Sequence, residues 1–130
     1  MYLATTRSIQ VCVEPFYLAD RSDPEAGQYF WAYRIDITNR GEETVQLISR
    51  HWKITDAHGR VEEVRGLGVV GEQPRLEPGG SFEYTSGVPL RTATGIMAGS
   101  YLMETAAGER FEVDIPAFSL DSPHMNKSVN

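Results

Sequence analysis

The sequence is poor in the groups that carry most chemistry. It has one cysteine, Cys12, among 130 residues, so no internal disulfide can form. It has three histidines, His51, His58 and His124, and no CxxC or HExxH pairing. That leaves little material for acid–base catalysis or for a zinc-type site. Basic residues are outnumbered 12 to 18, giving a formal net charge of −6. A nonspecific grip on nucleic acid needs a basic face that displaces counterions, and docking on an anionic membrane needs one too. Neither partner is expected. No apolar run approaches the roughly 20 residues of a membrane helix. The opening MYLATTRSIQ lacks the apolar stretch of a signal peptide. The expected location is the reducing cytoplasm. Helical periodicity is absent as well.

What is present is an ordinary globular balance, 41% hydrophobic and 23% charged, in a length that suits one domain. Short alternating stretches are separated by Gly, Pro, Asn and Asp. They predict seven strands, over residues 8–17, 29–38, 44–55, 60–70, 81–86, 100–105 and 109–118. In the first, Ile9, Val11 and Val13 share one face and Cys12 the other, while Pro15 asks for an edge or a bulge. In the third, the alternation slips between Val45/Leu47 and Ile48/Trp52/Ile54, which one extra residue near Leu47 would reconcile. Asp56–Gly59 reads as a tight turn and Ala107-Gly108 as a hairpin turn. The polar run from residue 119 reads as having little to bury. The domain is set at 1–123, with 124–130 a mobile C-terminal tail.

Seven short antiparallel strands with regular turns predict an all-β, immunoglobulin/fibronectin-III-like sandwich. Trp52 falls on the third strand, where such sandwiches place a core Trp. Tyr101 falls at the tyrosine-corner position of the sixth, with Met103 in place of one disulfide Cys and Ile35 or Ile37 in place of its partner.

Six blocks in order carry a more specific signal: YFWAYRI, SRHWKITDAHG, VRGLGVVGEQP, LEPGGSFEYTSGVPL, GIMAGSY and IPAFSLDSP. With these the chain resembles the ApaG family over about residues 2–123. The resemblance implies a fibronectin-III-like sandwich. It also implies the family's associations: cobalt tolerance and magnesium flux in bacteria and, in eukaryotes, a similar domain appended to F-box and polymerase-interacting proteins as a protein-binding module. It implies no reaction, since function does not follow from fold.

GLGVVG, residues 66–71, fits G-x-G-x-x-G, the spacing of a dinucleotide-binding loop. That loop needs a buried parallel strand before it and a helix after it. Here VEEVR precedes it and EQPRLEPGG follows, and two prolines and two glycines leave no room for a helix. A weaker alternative remains, a nest of glycine amides for an anion formed by Gly66, Gly68 and Gly71, with charge from Arg65 or Arg75. The structural alternative is that these glycines serve a bulge, a close backbone approach and a sharp exit from the strand. His51, Asp56 and His58 are weak metal candidates, because the two histidines lie on opposite faces of an extended strand. Asp56 is expected to cap its turn. Arg50 shares the inward parity of Trp52 and must find a partner, with Glu72 and Asp121 as candidates. Arg50, Asp121 and the loop Glu72, Gln73 and Pro74 are the candidate partner-binding residues. The resulting expectation is a non-enzymatic protein-interaction module with no cofactor and an unknown protein partner, able to form a homodimer through an edge strand. The alternative is a regulator that binds a phosphate compound or a divalent cation through residues 66–71.

Overall fold

The computed structural model describes residues 1–123. The tail expected at 124–130 lies outside the described residues.

Among the described residues, nine strands form two antiparallel sheets that face each other as a sandwich. They are β1 (Tyr2–Thr6), β2 (Ile9–Tyr17), β3 (Tyr29–Asn39), β4 (Val45–Asp56), β5 (Val61–Leu67), β6 (Arg75–Leu76), β7 (Ser81–Leu90), β8 (Thr94–Thr105) and β9 (Arg110–Asp121). One sheet runs β1-β2-β3-β7 and the other β5-β4-β8-β9. β4 pairs with β8 along its whole length. Its other edge is shared, with β6 on Val45 and Gln46 and β5 on Ser49–Thr55.

The core follows the period-2 rule. Ile9, Val11 and Val13 of β2 and Trp31, Tyr33, Ile35 and Ile37 of β3 are buried from one sheet. Trp52, Met97, Tyr101, Met103, Val113, Ile115 and Phe118 meet them from the other. Trp52 stands edge-on to Tyr33 at 5.4 Å and to Phe118 at 5.9 Å between ring centres, within the range where aromatic pairs add to plain burial. The anticipated slip is real, since the β4–β8 register shifts between Leu47 and Ser49. Pro15 also finds a permitted place. β1 pairs with β2 only as far as Val13, so Pro15 sits where β2 has no outer neighbour.

Three expectations change. The strands number nine, because β1 and the two-residue β6 were not anticipated and β8 begins at Thr94. The first half of β8 carries Gly95 and Gly99, which resemble loop residues in sequence. In the sheet they are demanded by closeness: a Cβ on Gly95 would lie 2.7 Å from the carbonyl oxygen of Thr55, and one on Gly99 would lie 2.3 Å from that of His51. The polar run from 119 is not a tail at its start. Leu120 is fully buried, the Trp31 indole donates to the Asp121 carbonyl (2.8 Å), and Ser122 donates to the Ala93 carbonyl (2.7 Å). Tyr101, finally, does not make a tyrosine corner with its own backbone. Its hydroxyl pairs with that of Tyr84 across the sandwich at 2.6 Å, both groups buried.

One flank of the sandwich is closed by β9 packing on β1 and β2, helped by the Arg7–Glu109 pair and a Tyr2–Phe118 ring contact.

Candidate functional site

The glycine stretch is built from the bulge upward. Ile48 is the extra residue of β4, and its carbonyl turns out of the ladder. It accepts from the Gly68 amide (2.9 Å) and from the Gln73 side-chain amide (2.9 Å). Val69 and Glu72 then exchange two backbone hydrogen bonds, 2.8 and 2.9 Å, around a two-residue hairpin tip. The tip residues, Val70 and Gly71, have φ of 42° and 82°. Hairpins this tight favour positive φ, which Asn-Gly supplies cheaply and a β-branched residue does not. A Cβ on Gly68 would lie 2.2 Å from the Glu72 carbonyl oxygen, so this position admits only glycine. Val69 is fully buried beneath the tip, while Leu67 and Val70 are 75% and 52% exposed. Gln73 and Pro74 brace the exit, their carbonyls accepting from Gln46 and Leu47.

Arg50 reaches into this loop from β4. Its guanidinium donates to the carbonyls of Leu67 (3.1 Å) and Gly68 (2.9 Å), in place of the Glu72 or Asp121 partner expected from sequence. Glu72 lies on the exposed hairpin, and the Asp121 carboxylate accepts from Thr94 (3.3 Å). Gly66 explains the fit, since a Cβ there would come within 2.9–3.1 Å of the guanidinium atoms. Arg50 also lies near the buried phenols of Tyr33, Tyr84 and Tyr101. Desolvation raises the pKa of all three, and the arginine opposes that rise.

Of the candidate anion nest, the Gly68 amide is spent on the Ile48 carbonyl. The amides of Gly68, Val69 and Glu72 are engaged by backbone carbonyls, and the oxygens of residues 67 and 68 face a cation. Arg65 reaches Glu63 at 3.3 Å, and Arg75 stands in the β6 ladder opposite Gln46.

The metal candidates do not gather into a ligand set among the described residues. His51 pairs with Glu63 at 2.7 Å, and that hydrogen bond holds the Glu63 carboxyl below its ordinary pKa. Asp56 caps its turn through the amides of His58 (2.8 Å) and Arg60 (3.0 Å). Desolvation would raise its pKa, and those two N–H groups together with the charges of Arg60 and His58 more than reverse the effect. His58 is exposed. Among the described residues, no group of three or more His, Cys, Asp or Glu could hold a metal ion. None of the described helices is long and apolar enough to cross a membrane.

A substantial concavity lies elsewhere, at one end of the sandwich. It is a cleft of about 680 Å³ between the ends of β3 and β7 and the β4–β5 turn. Tyr29, Phe30, Ile54, Val61, Pro89 and Leu90 supply its apolar walls. Arg21, Arg60 and Arg91 line it too, from three separate turns. Sequence reasoning missed this site, because residues 21, 60 and 91 meet only when the loop at 18–28, the β4–β5 turn and the β7–β8 turn converge.

The comparisons agree on a family. The ApaG domain model matches residues 19–105. Protein ApaG of Rhodopseudomonas palustris (strain TIE-1) is 65% identical over 130 residues, covering all of both chains, and that of Azorhizobium caulinodans is 63% identical over the same span. The crystal structure of the putative ApaA protein from Bordetella pertussis is 52% identical with a TM-score of 0.87, over 89% of this chain and 94% of its own.

Proposed function

The chain belongs to the ApaG family, and on that premise we propose that it acts as a non-enzymatic protein-interaction module. One observation carries the reading. The hairpin at 69–72 holds Leu67 and Val70 in solvent on a rigid base, with Val70 in a backbone conformation that costs a β-branched residue about 1–2 kcal/mol. Strain of this kind concentrates at functional sites. An Asn at position 70 would serve the turn better and expose less apolar surface, so folding does not account for the valine. Contact with the apolar surface of another protein does. The bulge at Ile48, the Arg50 clamp and the Gln73 brace pre-organise the tip, which limits the ordering cost of binding.

The experiment is affinity capture from cell extract with the wild-type chain and with Leu67→Ser and Val70→Asn. The expected result is one partner, captured reproducibly by the wild type and lost with both variants, while their thermal melts stay at or above wild type. Capture that is indifferent to both changes, or turnover of a small molecule by the purified chain, refutes the reading.

A further inference from the structure

The end cleft is a second surface, independent of the hairpin, and three arginines line it together. Arg7, Arg34, Arg65 and Arg110 each pair with a glutamate. Arg21, Arg60 and Arg91 form no ion pair among the described residues, although the chain carries six more acidic than basic side chains. Two carboxylates also line the cleft, Asp56 and Glu62. Asp56 is already committed, one of its oxygens taking two turn amides. Arg60 stands near enough to lower the Asp56 pKa without pairing to it. The cleft therefore sets three arginines against two carboxylates, a net positive charge around an apolar trough on a chain whose net charge is −6.

We infer that this cleft takes an extended acidic segment of a partner protein, its carboxylates paired with Arg21, Arg60 and Arg91 and one apolar side chain lodged between Val61 and Leu90. Charge complementarity selects the sign of the occupant. Guanidinium groups are suited to carboxylates through paired, planar hydrogen bonds. The trough selects an apolar anchor, and the volume is in the range that holds a few residues of peptide. The three arginines come from three different segments of the chain and line one cleft, so an occupant can pair with more than one of them. A strand-like segment, rising about 3.3 Å per residue, spreads its carboxylates along such a cleft, as a compact ion does not.

The test uses random-peptide phage display on the full chain, followed by anisotropy titration of the selected peptides. The expected selection is rich in Asp and Glu around one aromatic or aliphatic residue. Each of Arg21→Glu, Arg60→Glu and Arg91→Glu should weaken those peptides at least tenfold, and raised salt should weaken them too. All three side chains are exposed, and thermal melts check that the variants fold. Leu67→Ser should bind the peptides like wild type, which separates failure here from failure of the hairpin reading. Selection of neutral or basic peptides, no selection at all, or indifference to charge reversal overturns the inference. So does displacement of the peptides by millimolar pyrophosphate or ATP, which would assign the arginines to a small phosphate ligand.

Discussion

Gly68→Ala and Gly71→Ala test the account of the G-x-G-x-x-G stretch directly. Both glycines have positive φ, 62° and 82°. For Gly71 that is the whole problem, because a Cβ there meets nothing within 4 Å. Alanine in the left-handed region costs about 1–2 kcal/mol, and lower entropy of the unfolded chain returns about 0.5–1. The net expectation is about 1 kcal/mol. At Gly68 the same penalty applies, and the new methyl would also sit 2.2 Å from the carbonyl oxygen of Glu72. A backbone oxygen cannot step aside as a side chain can, so the hairpin must open. That forfeits the two Val69–Glu72 hydrogen bonds, worth about 1 kcal/mol each. It also partly uncovers Val69, which is fully buried. The expected cost of Gly68→Ala is about 3–4 kcal/mol, a large share of the about 5–15 kcal/mol that stabilises a domain. Urea unfolding followed by Trp fluorescence reads both numbers, since Trp31 and Trp52 are buried. Equal costs, or a larger cost at Gly71, would refute the assignment of Gly68 to backbone contact. So would a gap between the two variants that appears only when phosphate ligands are added.

The remaining predictions concern the same neighbourhood and the core. Gly66→Ala should destabilise the wild type by about 1 kcal/mol, by pushing Arg50 off its two carbonyls, and should be neutral or mildly stabilising in an Arg50→Ala background. Additivity in that double-mutant cycle, measured by urea unfolding, rejects the proposed fit. Burial raises the pKa of Tyr33, Tyr84 and Tyr101, so the folded chain keeps these protons to higher pH than the unfolded chain does. Stability should thus be intact below about pH 10, the unfolded value, and fall from there as pH rises toward the folded values, by up to about 4 kcal/mol per pH unit for the three. Urea midpoints between pH 9 and 12 check this, and Tyr33→Phe should flatten the slope. Asn39 is buried, donates to the carbonyls of Glu43 (2.7 Å) and Leu76 (2.9 Å), and accepts from the Gly41 amide (2.9 Å). Asn39→Ala should cost about 2–4 kcal/mol by leaving these groups unpaired, and a loss under 1 kcal/mol in thermal or urea unfolding contradicts that role.

Much of this was legible because sheet proteins write their burial into alternate residues. Ile9, Val11 and Val13 announce one inner face, and the slip after Leu47 announces a bulge, because a single extra residue reverses every side chain beyond it. The inward parity of Arg50 was legible as well. Its partner was not, since carbonyl acceptors belong to the backbone and leave no residue type to search for. Glu72 and Asp121 were the obvious acids, and the oxygens of Leu67 and Gly68 were what the bulge actually brought into reach. β1 and β6 escaped notice because YLATT and RL are too short or too weakly alternating to register as strands, and they are held in place by β2 and β4.

The sequence by itself determined the family, the two-layer all-β class, the inner faces of the longer strands and the exclusion of a helix after GLGVVG. These are local or collective properties, set by period, by proline and glycine, and by blocks of residues in order. Tertiary structure alone decided what the glycines are for and where charge gathers. Gly95 and Gly99 are required by backbone atoms of distant segments, Gly66 stands against the Arg50 guanidinium, and Arg21, Arg60 and Arg91 converge only after two sheets have closed on each other. Contacts between segments tens of residues apart depend on register and packing angle, and neither leaves a mark at any one position of the chain.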